Sequence, residues 1–580
     1  MTKNTSQKRV IISVPIFDFN DQDEILLLGT WCETYSKRSL LKNVRYQLHE
    51  YHWENHRKLS QDNQYLSSLY ENKLLELSHM LNSYHEVNFS IRFWRILIGP
   101  WLLTIISTLW DRWEIVRTAL ESVNKDSYVF KKLSNNKQPP PLDYNQSIKQ
   151  IGSDYWNEAI FSKIMDIFAI PSTEIDSKEF KNPDNTSSNL SSRPWFYKMI
   201  DFFISSNKDR KITIYHAYFP KIFSLFLNLK LFHKTRLDKF FHKQISFKFS
   251  NRSDIDFGVL DFKFDSKFEL FFNNNVLEYM PISYLEGFKE LVGEAAKIPS
   301  SEVILTANAH FGNELFKVWS GLNCERGSKL IISSHGGAFY PKFSVFDHQE
   351  HISNVRVIWG QSWYKNQVTL PPNKLSYKIK KYNKKGSVSI IDNDSLKYSY
   401  RCMSASQGPL VVKSYKKTES LIHLMKKESM NIKIKPKYSG DNETALRYED
   451  KFGKDTLFPS NSSIKKIIQQ SKIVVCTYPQ TAYAESMFSG IPTLLFYDSE
   501  IWQTQEIYSE LLDLMLDNNM IFECDKKAVT HIKSISEDPL KWWNSKEISD
   551  VRKIFNHMCI TKEDSKMREW TTFLKSAINY

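Results

Sequence analysis

The chain has 580 residues, of which 78 are basic and 65 acidic, giving a formal charge of +13. This length is too great for one hydrophobic core, and its apolar content excludes a disordered chain, so we expect two large domains with insertions. The six cysteines are scattered without a C-x-x-C pair. This spacing argues against a disulfide framework or a structural zinc site and indicates a reducing, cytoplasmic compartment.

Targeting and membrane signals are weak. The N-terminus is basic, but its apolar run is brief and no small-residue cleavage site follows, so we expect no signal peptide. The longest uncharged apolar stretch, residues 96–110, is shorter than the roughly 20 residues of a membrane span. We expect a buried helix there, with an interfacial helix as the alternative. The basic excess suits an anionic substrate or peripheral contact with the inner face of the cytoplasmic membrane, and no motif indicates a nucleic-acid partner.

The first part of the chain reads as strands followed by helices. Residues 9–17 and 25–29 are predicted strands, close enough for a hairpin or an αβ unit with a very short connection. Helical, amphipathic periodicity covers residues 43–113. We therefore predict an α/β N-terminal domain over residues 1–365, Rossmann-like and interrupted by a large helical insertion at about 43–300.

Two histidines follow predicted strands in the second half of that domain. His310 ends the apolar run from Val303, and His335-Gly336-Gly337 follows the run Leu330-Ile331-Ile332. Side chains at the carboxyl ends of parallel strands reach ligand clefts, and glycines allow close backbone approach. We predict both histidines as catalytic, with Glu314 or Asp347 as the carboxylate that acts as base or nucleophile.

Residues 366–398 are polar and basic and are predicted as a linker. The C-terminal nucleotide-sugar-binding domain is predicted over residues 399–560, beginning with a strand at 409–413 and a helix after it. Residues 561–580 are predicted as a C-terminal helix that packs back across the domains.

The most specific pattern in the chain lies at residues 473–496, IVVCTYPQTAYAESMFSGIPTLLF. An apolar run, a polar loop, a short helical pattern, Gly-x-Pro and a second apolar run make one βαβ unit of a parallel sheet. The free N–H groups at the helix start suit phosphate. Gln480 and Thr481 add donors, Glu485 can accept from a ribose, and Lys435 ends another predicted strand on the same side. These four residues, with Gly336 and Gly337, form the predicted donor-binding site.

Metal and cofactor signals are weak. Asp-x-Asp pairs occur three times, and only Asp392/Asp394 directly follows an apolar run, in the stretch predicted as linker. His348 and His351 lack the further ligands of a metal site. We therefore predict no metal and no cofactor. The absence of Walker, G-x-G-x-x-G and G-x-S-x-G motifs argues against ATPase, dehydrogenase and α/β-hydrolase activity.

The motifs together resemble a bacterial family of surface-polysaccharide (O-antigen or capsule) transferases of leptospiral type, across nearly the whole chain. The resemblance is carried by Leu28–Cys32 with Tyr35, Tyr51–Trp53 with Arg57 and Asp62, Arg92–Trp101, Asp111–Glu114, Pro281–Gly287, Ser334–Gly337, Asp347-His348, Trp359-Gly360, and Thr481 with Glu485. Two positions depart from the family pattern: Thr30 stands where we expect a glutamate and Asn354 where we expect an aspartate.

This resemblance implies a GT-B-like glycosyltransferase in which two Rossmann-like domains face each other across a cleft. It also implies a CMP-linked donor carrying an acidic sugar, such as a pseudaminic, sialic or Kdo-type nonulosonic acid, and a glycan or lipid-linked glycan acceptor. Two alternatives stay open. One is a glycerol- or ribitol-phosphate transferase that uses a histidine base, and the other is an inactive assembly module, since Thr30 replaces the expected glutamate.

Overall fold

The computed structural model describes residues 8–20, 22–134, 136–176, 211–232, 235–237, 264–344, 347–374, 382–561 and 565–579, with 241, 245, 247 and 252. The described strands are β1 (Arg9–Ile12), β2 (Glu24–Leu27), β3 (Arg45–Leu48), β4 (Tyr128–Leu133), β5 (Ser172–Ile175), β6 (Ile212–Ile214), β7 (Thr235–Leu237), β8 (Val303–Thr306), β9 (Lys329–Ser333), β10 (Val355–Ile358), β11 (Gln367–Thr369), β12 (Ser387–Ile391), β13 (Ile432–Lys435), β14 (Ser471–Cys476), β15 (Thr493–Phe496) and β16 (Ile521–Phe522).

The described α-helices alternate with these strands. They are α1 (His56–His85), α2 (Ile91–Glu121), α3 (Tyr144–Ile151), α4 (Asp154–Ile167), α5 (Lys221–Lys230), α6 (Lys267–Tyr279), α7 (Phe288–Ala296), α8 (Ala309–Gly312), α9 (Glu314–Glu325), α10 (Asp347–Ile352), α11 (Leu410–Lys427), α12 (Thr444–Phe452), α13 (Ile464–Gln470), α14 (Thr481–Ser489), α15 (Ser509–Asp517), α16 (Asp525–Ile535), α17 (Pro539–Trp543), α18 (Lys546–Cys559) and α19 (Lys566–Asn579).

The strands form three parallel sheets. Their orders are β3-β2-β1-β4-β5 in the first sheet, β11-β10-β9-β8-β6-β7 in the middle sheet and β13-β12-β14-β15-β16 in the third. The pairings between named strands are parallel throughout, as the buried, β-branched strand composition predicts. The α/β class is therefore confirmed.

The middle and third sheets face each other by their carboxyl ends. Phe339, in the loop after β9, donates its N–H to the carbonyl of Pro479 in the loop after β14 (3.2 Å). The Gln480 side chain returns a bond to the Phe339 carbonyl (3.0 Å). Two Rossmann-like sheets facing across a junction confirm the predicted fold.

The N-terminal region differs from its prediction. Residues 9–175 form a complete sheet of their own, and strands β3 to β7 lie within the predicted helical insertion at 43–300. β1 and β2 are also parallel, with Arg9 opposite Glu24, so they form neither a hairpin nor an antiparallel pair. Four-residue strands between long helices give too short an alternation for sequence periodicity to detect.

The boundary of the third sheet also differs from its prediction. β12, at Ser387–Ile391, pairs with both β13 and β14 and is an inner strand of the sheet, so residues 387–391 are not part of a linker. The predicted strand at 409–413 is instead the start of helix α11. Its buried positions continue at Tyr415, Thr418, Leu421, Ile422 and Met425, and this helical period over 18 residues outweighs a short β-branched run.

Helix α2 is the core of the N-terminal half. Among the described residues it is the one helix long and apolar enough to span a membrane, but 83% of its apolar window is buried inside the protein. Trp94 and Trp101 are fully buried. The stretch at 96–110 is thus a buried helix, as predicted, and helices α4 and α9 pack against α2.

Candidate functional site

The junction between the middle and third sheets brings the predicted glycine loop against the start of α14. The Gly337 N–H donates to Thr481 Oγ1 at 3.1 Å. Gly337 has a φ of +108°, a conformation that glycine adopts without strain. A Cβ added at Gly336 would lie 2.2 Å from Thr481 Oγ1, so only a glycine permits this approach. The structure therefore brings Gly336, Gly337, Gln480 and Thr481 together.

The start of α14 keeps free hydrogen-bond donors. Its N-cap residue, Gln480, makes no side-chain capping bond, and the Gln480 amide nitrogen donates to the Phe339 carbonyl. The first N–H groups of a helix carry partial positive charge and favour an anion. The junction therefore presents backbone donors from α14 beside the His335 loop.

Positive charge surrounds His335. Burial, together with the nearby charges of Arg356, Lys374 and Arg401, lowers the pKa of His335 to about 4. The imidazole is therefore neutral at physiological pH. The Nε atoms of Arg356 and Arg401 are buried without a hydrogen-bond partner. Arg356 Nε lies 3.5 Å from a carboxylate oxygen of Glu350, whereas Arg401 forms no ion pair within the described residues and is suited to an anionic ligand.

Glu485 joins this cluster from the third sheet. Its carboxylate lies 3.5 Å from the ammonium of Lys374, which follows β11 of the middle sheet. Burial raises the pKa of Glu485, while the charge of Lys374 opposes that rise. The pair spans the junction and places Glu485 on the same side as His335.

His310 lies deeper than His335. It is fully buried, and neither ring nitrogen has a hydrogen-bond partner. Burial lowers the pKa of His310 well below its usual range, helped by the charges of His348 and Arg356. His348 packs against Gly99 of α2 and also has both ring nitrogens unpartnered. Two neutral imidazoles with unused nitrogens thus lie behind the junction.

Of the two predicted catalytic carboxylates, Asp347 is the one that forms no ion pair within the described residues. It begins α10, and burial raises its pKa to about 6. A carboxyl group with this pKa exchanges protons near neutral pH, which suits a general base.

Glu314 is held in a structural arrangement. Its carboxylate lies 2.8 Å from Lys317 Nζ and accepts from the Tyr144 N–H at 3.0 Å and the Tyr284 hydroxyl at 3.2 Å. Lys317 Nζ in turn donates to the Leu97 carbonyl of α2. These contacts tie α9 to α2 and α3, and they leave Glu314 apart from the His335 loop.

Lys435 is also apart from the junction. Its ammonium donates to the carbonyls of Pro459 (3.4 Å) and Ser460 (2.9 Å) at the exposed end of β13. The Asp-x-Asp pair is likewise satisfied within the protein. Asp392 accepts from Thr477 and Tyr448, and Asp394 accepts from Asn442 and Thr444. Within the described ranges no group of three or more His, Cys, Asp or Glu side chains is arranged to hold a metal ion.

Three cationic residues of the site were not predicted. Arg356 could have been predicted from the sequence. It is a single arginine inside the apolar run of β10, and a buried arginine needs a partner for its charge. Lys374 and Arg401 carry none, since both follow polar stretches that resemble surface loops. Only the meeting of the sheets brings them to His335.

The two departures from the family pattern have different surroundings. Asn354 uses its amide oxygen to accept from Arg92 (2.7 Å) and from the Leu330 N–H (2.8 Å), so an aspartate is not needed there. Thr30 follows β2, and its hydroxyl is buried without a partner. Asn354 therefore acts as an acceptor, as the expected aspartate would, whereas Thr30 offers no carboxylate.

One protein family and several solved structures resemble this chain. The LIC12162 family transferase pattern matches residues 15–574. No curated protein matches the sequence. Among solved structures, HepE of Anabaena in complex with UDP and glucose is 10% identical, over 63% of this chain and 100% of its own, with a TM-score of 0.35. The glycosyltransferase SnogD from Streptomyces nogalater is 8% identical, over 63% and 99%, with a TM-score of 0.32.

Proposed function

The chain belongs to the LIC12162 family of transferases, and we propose that it moves a sugar from a nucleotide-activated donor onto a glycan or lipid-linked glycan. The observation that carries this proposal is the junction where the His335-Gly336-Gly337 loop meets the start of α14 among three cations. Phosphate of the donor would lie against the α14 N–H groups and Thr481. Glu485 would accept from the ribose hydroxyls.

The charge of the junction supports an acidic donor, such as a CMP-linked nonulosonic acid. Lys374 is paired with Glu485 and Arg356 with Glu350, but Arg401 forms no ion pair within the described residues. A CMP-sugar acid brings two anionic groups, a phosphate and a carboxylate, and one guanidinium could face each. A neutral sugar would leave Arg401 without a counter-charge at the junction, which is unfavourable.

Asp347 would then act as the base that takes the proton of the acceptor hydroxyl. Its pKa of about 6 keeps it ionised at cytoplasmic pH and close enough to neutrality to accept a proton. His335, as a neutral imidazole, would donate a hydrogen bond to the leaving phosphate. Glu314 and Lys435 have no part in this scheme, because Glu314 is paired with Lys317 and the Lys435 ammonium donates to backbone carbonyls.

The neutrality of His335 also favours a second candidate, transfer of a glycerol- or ribitol-phosphate group. A neutral imidazole accepts a proton at one ring nitrogen, and an anionic donor phosphate bound beside His335 would raise its pKa toward neutrality, which suits a base. The two candidates differ in the donor nucleotide and in the bond that breaks, so a donor panel separates them.

The test uses the purified full chain with CMP-, CDP- and UDP-linked donors. Binding is measured by calorimetry and nucleotide release by chromatography, with and without an acceptor panel. We expect CMP release from CMP-linked sugar acids. His335→Ala should lower that rate at least about 100-fold while leaving the circular-dichroism spectrum unchanged.

His79→Ala is the matched control, because His79 is exposed on α1 far along the chain from the junction. Release from CDP-glycerol alone would replace the sugar transfer by polyol-phosphate transfer. Failure to bind any donor would favour the inactive assembly module that Thr30 suggests. A His335→Ala protein that does not fold would return His335 to a structural role.

A further inference from the structure

Helix α5 carries an outward apolar face. Of the nineteen large hydrophobic side chains exposed among the described residues, five lie within residues 222–232. They are Ile222 (71% exposed), Leu225 (43%), Phe226 (51%), Leu229 (47%) and Phe232 (73%). The first four follow the spacing i, i+3, i+4, i+7 and therefore share one side of the helix.

The opposite side of α5 is already occupied. Leu227 and Leu231 are fully buried, in one core cluster with Trp570 and Leu574 of α19. The helix is thus apolar on both sides, with its inner side packed and its outer side uncovered. Contiguous exposed apolar surface of this kind is typical of a binding surface.

A cationic groove adjoins this face, between α5 and α19. Its volume is about 720 Å³. The lining side chains, none of them a carboxylate, are Lys230, Ser565, Met567, Arg568, Thr571, Thr572 and Lys575. The Lys575 ammonium lies 5.0 Å from the ring centre of Phe232, at the end of the apolar face. Within the described part of the chain, none of these three cations forms an ion pair.

We propose that this α5–α19 face docks onto an anionic lipid bilayer. The apolar side chains would enter the boundary between headgroups and acyl chains, and the groove would receive a lipid phosphate from its lysines, arginine and hydroxyls. A second copy of the chain suits the face less well. A twofold contact would place the unpaired cations of one copy against those of the other.

The α5–α19 face lies close to the His335 loop of the junction. α5 begins directly after the loop that leaves the carboxyl end of β6, and in that loop the Tyr218 ring lies 6.1 Å from the His335 ring. A bilayer held at α5 would therefore lie near the donor site. If the proposed function is correct, a lipid-linked acceptor could reach the donor from the membrane. Docking itself does not depend on that function.

The experiment is flotation of the full chain with vesicles of phosphatidylcholine alone or with 30% phosphatidylglycerol. Lys230→Glu/Lys575→Glu removes the positive groove, and Ile222→Ser/Phe226→Ser removes the apolar anchor. All four side chains are exposed, so folding should be retained, as circular dichroism checks. Lys526→Glu/Lys527→Glu on α16 is the matched control, because it makes the same change in charge at exposed positions away from the face.

We expect binding to the anionic vesicles only, weakening with added salt. The groove variant should lose at least about tenfold in partition coefficient, since each basic residue near an anionic surface contributes about fivefold. The apolar variant should lose binding even at low salt, and the control should stay within about twofold. Equal loss in groove variant and control would overturn the proposal, as would equal binding to both vesicles. A lipid-free dimer that Phe226→Ser dissociates would assign the face to a second copy. None of these outcomes depends on transfer activity.

Discussion

The carboxyl group of Asp347 is more easily protonated in the folded protein than in the unfolded chain. Its folded-state pKa of about 6 lies above the ordinary aspartate value of 3.8, because burial disfavours the charged form. Between these two pH values the folded state binds more protons, so stability falls as pH rises from about 4 to 6. Above pH 6 the full penalty of the buried charge is present.

Asp347→Asn should therefore make the protein more stable and less active at pH 7. We expect a gain of about 1–2 kcal/mol in unfolding free energy at pH 7, after allowance for partial exposure, and almost none at pH 4. Urea unfolding at both pH values measures it. Asp513→Asn, at an exposed position of α15, is the control and should change neither value. A stabilised variant with full activity would remove Asp347 from the proposed mechanism.

A carboxylate one helical turn after His310, such as Glu314, can be either a catalytic group or a structural ion-pair partner. The sequence predicts a catalytic carboxylate near His310, whereas the structure surrounds Glu314 with Lys317, Tyr284 and the Tyr144 N–H. The distinction lies in partners from helices far apart in the chain. No local signal reports them.

Glu314→Gln should lower the unfolding free energy, because Glu314 is the counter-charge of the fully buried Lys317. We expect a loss of about 3 kcal/mol in unfolding free energy, because a buried ammonium would lose its counter-charge. The double variant Glu314→Leu/Lys317→Met should lose much less, since no charge is then left buried. Asp550→Asn is the control, because Asp550 pairs with Lys553 at the same i, i+3 spacing on the surface. It should cost below about 0.5 kcal/mol. The single variants Glu314→Leu and Lys317→Met complete a double-mutant cycle with this double variant. Additive changes in unfolding free energy would show that the two residues are not coupled.

At the level of elements, the sequence is most informative where one contiguous stretch holds the whole unit. β14, α14 and β15 are predicted correctly because strand composition, loop, helix and Gly-x-Pro all fall within 24 residues. β12 is missed, since Ser387-Val388-Ser389 alternates serine with an apolar residue after a basic, polar stretch. Its burial inside the sheet comes from pairing with β13 and β14, whose sequences lie 40 to 90 residues away.

The contact between the β9–α10 loop and α14 gives a test at this level. Gly336→Ala would bring a methyl group to 2.2 Å from Thr481 Oγ1, so the two elements must separate. We expect a loss of about 1–3 kcal/mol in unfolding free energy. In Gly336→Ala/Thr481→Ala the clashing oxygen is absent, and much of that loss should be recovered.

Thermal unfolding of the four proteins in this cycle measures the coupling. Neighbours that touch show coupling energies of about 0.5–3 kcal/mol, whereas separate sites are additive. An additive result would mean that the loop and α14 do not meet as described. Gly293→Ala is the control, because a Cβ added at Gly293 of α7 meets nothing within 4 Å.

At the scale of the whole molecule, the three sheets are joined by contacts that no sequence pattern records. Arg112 of α2 donates to the Ser399 carbonyl at 2.6 Å, and Tyr51 donates to the Ser399 hydroxyl, also at 2.6 Å. These residues are separated by about 290 and 350 positions. The His335 loop and the start of α14 can therefore be predicted from the sequence. The cations near His335 cannot, because only the folding of distant segments brings them together.

The last helix closes the chain onto the middle sheet. Trp570 of α19 is fully buried, and its indole N–H donates to the Pro371 carbonyl at 2.9 Å, just after β11. Leu574, one turn on, is equally buried. The chain thus leaves the third sheet through α18 and returns to the middle sheet, which makes α19 a tie between the two halves of the junction.

Trp570→Ala should therefore destabilise the protein by about 3–5 kcal/mol through the cavity it leaves, and Trp570→Phe by less, because much of the volume is kept. Urea unfolding followed by circular dichroism measures both. Ile554→Ala, on the exposed side of α18, is the control and should cost below about 0.5 kcal/mol. If α19 is a tie and not an appendage, Trp570→Ala should also weaken donor binding by calorimetry under conditions where the protein is folded. Unchanged donor affinity in a folded but destabilised Trp570→Ala protein would confine α19 to the stability of the middle sheet.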